Sequence, residues 1–175
     1  MSLRIATLGL LAEKPGSGYD LLKRFEKSMA NVWPATQSQL YGELNKLADA
    51  GLIEVSSVGA RGRKEYAITG AGRAELRRWI VAPQDDPPIR RPGLLRVFLL
   101  GEVGEHTARE LVTQVAEHAE AEVARLEHLR DAAQWGADES EFYSRAALEY
   151  GLQANAMEAR WARALTKAIE DRHRK

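Results

Sequence analysis

The chain has 175 residues, 45% of them hydrophobic and 29% charged, which is the balance of one or two small globular domains and excludes a disordered or fibrous chain. It contains no Cys, which excludes a disulfide framework, a thiol redox switch and a thiolate metal site. The net charge of zero is unevenly divided: residues 1–82 hold 12 Lys/Arg against 8 Asp/Glu, a net of +4, and residues 83–175 hold 13 against 17, a net of −4. This is either chance scatter or a module that meets phosphates joined to one that stays off them.

Leu3, Ala6, Leu10 and Leu11 begin a short helix, which Lys14-Pro-Gly-Ser-Gly18 ends. Tyr19 to Met29 makes a second, with Tyr19, Leu22, Phe25 and Met29 on one face and Lys23, Arg24 and Lys27 elsewhere on its surface. In a helix-turn-helix such a helix crosses the DNA backbone, so these cations are either phosphate contacts or a solvated basic face.

The next helix has both ends marked. Trp33-Pro34 biases the chain before it away from helix, Thr36 can cap its amino terminus, and Gly51 supplies the left-handed position that stops it. Leu40, Leu44 and Leu47 lay an apolar stripe along one side, opposite Gln37, Ser38, Tyr41, Asn45 and Lys46. Amide, hydroxyl and ammonium groups suit base edges and phosphates, and an ordinary solvated face has the same make-up. Gly42 costs roughly 1 kcal/mol relative to alanine inside a helix. It either lets the backbone approach DNA or a neighbouring helix closely, or is a tolerated surface position.

Leu52–Ser57 and Lys64–Ile68 alternate apolar and polar residues on either side of a Gly-containing turn, the signal of a β-hairpin. Its tip carries Arg61, Arg63 and Lys64, which can lie against phosphates or enter a narrow minor groove. A further helix runs from Thr69 to Val81. The expected class is therefore mainly α: a winged helix-turn-helix of three helices plus a two-stranded β-wing, followed by an α-helical dimerisation domain.

Residues 82–93 hold four of the chain's six prolines and read as a stiff linker. The expected divisions are a DNA-binding domain at 1–82, a Pro-rich linker at 83–93 and a helical dimerisation domain at 94–175. In that last segment Leu94–Leu100 is a short apolar helix, and Thr107–Ala133 carries an average 3.5-residue apolar repeat. The final helix, from about residue 138 to 169, places Tyr143, Ala147, Tyr150, Ala154, Met157, Trp161, Ala164 and Ala168 at alternating steps of four and three, a seam into which knobs of another helix can insert. Leu148, Leu152 and Ala159 form a second apolar set about half a turn away. One intramolecular partner cannot cover both sides, and a homodimer is expected.

The run from Leu3 to Trp79 resembles the DNA-binding domain of the PadR family of transcriptional regulators. The matching pieces are Leu8-Gly-Leu-Leu-Ala12, Gly18-Tyr19-Asp20-Leu21, Trp33-Pro34, Ser38-Gln-Leu-Tyr41, Leu44 to Leu47, Gly51-Leu52-Ile53 and Tyr66-Ala-Ile-Thr69-Gly-Ala-Gly72. Arg90 to Leu100 is similar to the start of the helical carboxy-terminal domain in one branch of that family. The resemblance implies a repressor in which Tyr41 faces DNA. It also implies an effector, a small aromatic or amphipathic molecule, held between the DNA-binding domains and the helical domain, with Trp33, Trp79, Trp135 and Trp161 as candidate ring surfaces or simply core.

His106, His118, His128 and His173 have neither metal-ligand spacing nor a nucleophile beside them. Gly16–Gly18 and Gly59–Gly62 lack the order of a phosphate-binding loop. No enzyme, metal or cofactor is expected. No apolar run nears the ~20 residues of a membrane span and no secretory signal opens the chain, so a cytoplasmic protein without membrane contact is expected. The function expected is a sequence-specific regulator that binds a partly palindromic double-stranded DNA operator as a homodimer. Thr36, Gln37, Ser38, Gln39 and Tyr41 would meet the major groove with Asn45 and Lys46 on the same face, and Arg61, Arg63 and Lys64 the flanking groove. The alternatives are a winged-helix protein-interaction module without direct DNA binding, and a ligand-binding structural protein.

Overall fold

The computed structural model describes residues 2–59, 62–83, 90–133, 135–136 and 139–172. Two compact units, Met1–Asp86 and Pro87–Lys175, divide the chain. The first runs α1 (Ser2–Glu13), β1 (Gly16–Ser17), α2 (Gly18–Lys27), a 3-10 turn (Met29–Asn31), α3 (Gln37–Asp49), β2 (Ile53–Val58), β3 (Lys64–Ile68) and α4 (Gly70–Val81).

Helix α3 begins and ends where its sequence marks require. Thr36 is extended at the N-cap, its hydroxyl accepts from the Gln39 N–H (3.3 Å), and its own N–H donates to Gln39 Oε1 (2.8 Å), a reciprocal capping box. Gly51 at φ 68° ends it. Leu40, Leu44 and Leu47 are fully buried in one core with Leu8, Leu10 and Leu11 of α1, Leu21 and Phe25 of α2, and Leu52 and Ile53. Full burial of each such side chain is worth roughly 1.5–3 kcal/mol, so the leucine stripe sets which face of α3 is left for solvent.

The buried face of α2 differs from the expected one. Gly18, Leu21 and Phe25 are buried, Tyr19 is 54% exposed and Leu22 half-buried. The helix begins at Gly18 under a cap from Ser17, which turns Leu21 and Phe25 to the core. Tyr19 lies outside under Lys23 Nζ, 4.6 Å from the ring centre. Met29 falls in the 3-10 turn and not in the helix.

The sheet is antiparallel in the order β1-β3-β2. Strands β2 and β3 are the expected hairpin, and its register passes from Val55↔Tyr66 to Ser57↔Glu65, leaving Ser56 as a bulge. Strand β1 adds a third strand by pairing Gly16 with Tyr66 and Ser17 with Glu65. Two residues show no periodicity, so only the partner strand reveals them. Only Ile53 of β2 is buried and Val55 is 41% exposed, so the hairpin projects past the core as a wing.

A tight joint links α3, the wing and α4. Thr69 N–H donates to the Leu52 carbonyl (3.0 Å), the Thr69 hydroxyl donates to the Gly51 carbonyl (2.8 Å) and accepts from the Gly72 N–H (3.1 Å). Gly72 is buried so closely on Leu52 that a Cβ there would collide with the Leu52 carbonyl oxygen and with Ile68. Arg4 Nε and Glu75 Oε1, 2.7 Å apart, pair α1 with α4.

The second unit holds α5 (Pro92–Phe98), a 3-10 turn (Leu100–Glu102), α6 (Glu105–Ala132) and α7 (Glu139–Arg172). Helix α5 starts two residues before the expected Leu94 because Pro92, with its fixed φ, opens the first turn. Helices α6 and α7 are antiparallel, as three cross-links show: Arg109 to Glu170 (3.4 Å), Arg163 bidentate to Glu120 (2.8 and 2.6 Å), and Leu126 against Gly151. Between them lie Ala108, Val112, Ala116, Ala119 and Leu126 from α6 and Leu152, Ala159 and Ala162 from α7. Among the described residues no helix is long and apolar enough to cross a membrane.

Candidate nucleic-acid interface

With its leucines inward, α3 presents Gln37, Ser38, Gln39, Tyr41, Asn45 and Lys46 to solvent. Thr36 and Gln39 are joined by the capping box, so Gln39 keeps its amide NH2 as the group left to meet an outside acceptor. Lys46 lies 3.4 Å from Glu43, yet its side chain stays 71% exposed. Gly42 has nothing within 4 Å of a Cβ, which removes close packing on a neighbouring helix as its reason and leaves DNA approach or tolerance.

Tyr41 is both anchored and accessible. Its ring lies on Gly18 at the start of α2, where a Cβ would fall 2.6 Å from Tyr41 Cε1, while the residue remains 38% exposed.

The wing cations divide. Lys64 is exposed, Arg61 lies outside the described residues, and Arg63 Nη2 bonds Asp20 Oδ2 at 2.5 Å. The turn beneath them closes through Gly59 N–H to the Arg63 carbonyl (2.7 Å), with Gly62 at φ 76°. Asp20 also accepts from the Ser17 hydroxyl (2.7 Å) and the Ser17 N–H (3.1 Å). The Ser17 hydroxyl foremost, then the Ser17 N–H and Arg63, hold this carboxyl at about 2, below its ordinary 3.8. Reading the sequence for DNA contacts passes over Asp20 because it is acidic. The capping-box spacing Ser17-x-x-Asp20 is the signal that finds it.

On α2 the expected basic face loses a member. Arg24 turns inward, with Nη1 donating to the Leu10 carbonyl (3.0 Å) and Nη2 buried, so it is not a phosphate contact. Lys23 and Lys27 remain exposed.

In the helical unit, the seam expected for dimerisation is open in the protomer: Tyr143 is 67%, Tyr150 77% and Met157 50% exposed, and Ala147, Ala164 and Ala168 are exposed. Ala154 is half-buried, and Trp161 packs against Val112, Ala116 and Ala162 within the protomer. Val97, Leu100, Leu111, Val112 and Val115, with Arg96 and His118, line a half-open groove of about 300 Å³. His106 pairs with Glu110 (3.2 Å) on the surface, and His173 lies outside the described residues. Among the described residues no three His, Asp or Glu side chains are grouped to hold a metal ion.

A helical core whose polar third helix adjoins a β-hairpin wing defines the winged helix-turn-helix class. Residues 7–78 match the Transcriptional regulator PadR-like family, and residues 89–170 match the Virulence activator alpha C-term family. The chain is 30% identical over 129 residues to the Negative transcriptional regulator PadR of Bacillus subtilis, covering 71% of each protein. It is 41% identical over 86 residues to a probable transcriptional regulator of Mycobacterium tuberculosis, covering 47% of this chain and about half the length of that relative (46%). The crystal structure of Bacillus subtilis PadR in complex with operator DNA aligns with a TM-score of 0.85 at 25% identity over 97% of this chain and 99% of that one. The same protein in complex with p-coumaric acid aligns at 0.84 and 26%, over the same shares. The protein belongs to the PadR-like family of transcriptional regulators.

Proposed function

We propose that this regulator acts as a repressor, binding a partly palindromic operator as a homodimer and released by a small aromatic or amphipathic effector. Residues 1–82 carry the DNA surface, 83–93 link, and 94–175 dimerise. Gln37, Ser38, Tyr41, Asn45 and Lys46 meet the major groove, with Thr36 and Gln39 at the amino end of the same helix. Arg61 and Lys64 supply charge to the flanking groove, and Arg63, expected to join them from the wing tip, is instead engaged by Asp20. The observation that carries this reading is the solvent-facing polar side of α3, capped at its start and fixed by three buried leucines. The Bacillus subtilis complexes with operator DNA and with p-coumaric acid support it by likeness.

The dimer contact is the α7 seam of Tyr143, Ala147, Tyr150, Ala154 and Met157, with Trp161 at its edge. Its support is the large apolar surface that α6 leaves uncovered on this helix. The protein has no enzymatic role in this reading, and it works in the cytoplasm, where a regulator meets its DNA. Selection of bound duplexes from a random pool tests the whole: an inverted repeat is expected. A pool that stays unenriched at low salt would favour a protein-interaction module instead.

A further inference from the structure

We propose that the first turn of α2, Ser17 to Asp20, registers the wing against the recognition helix, with Gly18 and Asp20 as positioning residues that need not touch DNA. This rests on the reading of α3 and the wing as the DNA surface. Three ties meet in these few residues. Strand β1 pairs Gly16 and Ser17 with Tyr66 and Glu65 of the wing. Asp20 accepts from Arg63, 43 positions away in the chain. Gly18 takes the ring of Tyr41 into a space that a methyl group would fill.

An exposed ion pair alone fixes little, because two long side chains must be ordered to make it. Here the acceptor is already ordered, since the Ser17 hydroxyl and N–H hold the carboxylate before Arg63 arrives. Only the guanidinium has to be immobilised. Both halves of the DNA surface thus take their position from one rigid turn. The same bond keeps Arg63 off phosphates. An operator that demands helix and wing in fixed relation gains from this registration; DNA held by charge alone does not.

The test uses full-length Asp20→Asn, Arg63→Gln and the double variant, with two readouts. Without DNA, amide exchange along residues 62–66 should quicken in Arg63→Gln and at least as much in Asp20→Asn, which also loosens the Ser17 cap, and the double variant should go no further than Asp20→Asn. Unchanged exchange, or effects that add, would overturn the proposal whatever the chain binds. On duplexes selected by the wild type, Asp20→Asn should bind non-operator DNA more tightly, with a salt slope steeper by about one, and lose about tenfold in operator preference. Arg63→Gln leaves the α2 cap intact and carries both readouts if Asp20→Asn fails to fold. It should weaken operator binding while leaving non-operator affinity unchanged; equal loss on both duplexes would make Arg63 a plain phosphate contact and sink the idea. If the wild type selects no duplex, the DNA reading fails and the exchange result alone decides the tether.

Discussion

At Gly72 a backbone oxygen dictates the side chain. A Cβ there would meet the Leu52 carbonyl, which cannot rotate away, so Gly72→Ala should destabilise by about 1–3 kcal/mol through overpacking, with a drop of roughly 4–8 °C in melting midpoint per kcal/mol for a unit of this size. Gly70→Ala, two residues earlier with nothing within 4 Å of its Cβ, is the control and should melt within a degree or two of wild type, as surface changes do. Calorimetry on both variants checks this. Asp20 governs an acid limb. Its folded pKa is depressed to about 2, so its stabilising contribution is fully present above about pH 4 and is lost as pH falls towards 2. The side chain is 42% exposed, so the effect is modest, and acid titration of Asp20→Asn should show a shallower loss over that window than wild type.

Among the elements, α3 and α7 each have two faces with different work. On α3 the exposed side makes a divided prediction. Lys46→Ala or the wing variant Lys64→Ala should weaken binding to every duplex and lower the salt slope by about one. Asn45→Ala should change the preferred bases at a cost of roughly 1–3 kcal/mol on the cognate site, measured by repeating the duplex selection. On α7, Leu152, Ala159 and Ala162 are sealed against α6, while Tyr150 and Met157 stand in solvent. Trp161 is a poor probe of assembly, because it is half-buried against the cluster of Val112, Ala116 and Ala162 and its truncation would also weaken the protomer. Tyr150→Asp with Met157→Asp avoids that core. Sedimentation should give a monomer of unchanged helicity; a persistent dimer would move the interface to another face.

For the whole molecule, repression as proposed depends on two recognition helices separated by about 34–36 Å, one turn of DNA. An effector can act only through its different affinity for the competent and incompetent arrangements, and a tenfold loss of operator affinity requires about 1.4 kcal/mol between them. Tryptophan fluorescence screened against planar aromatic acids, p-coumaric acid among them, should find a ligand whose saturation lowers operator affinity by at least that factor. Quenching without any change in operator affinity would break the link between binding and release.

Much of this was legible in the residues because it depends on local chemistry. Thr36, Gly51 and the leucine stripe determine where α3 starts, stops and faces, since capping, left-handed φ and apolar periodicity act within a few residues of each other. The apolar set Leu152 and Ala159 likewise marks a side of α7 that is buried in the protomer. What only the tertiary structure decided lies between segments distant in sequence. Ser17 becomes a strand when β3 supplies its hydrogen bonds. Arg24 turns inward to the Leu10 carbonyl, Arg63 meets Asp20, and Gly18 and Gly72 are required by a ring and a carbonyl from elsewhere in the chain. The direction in which a cation points is not written in its neighbours, because it depends on which acceptor the fold brings within reach.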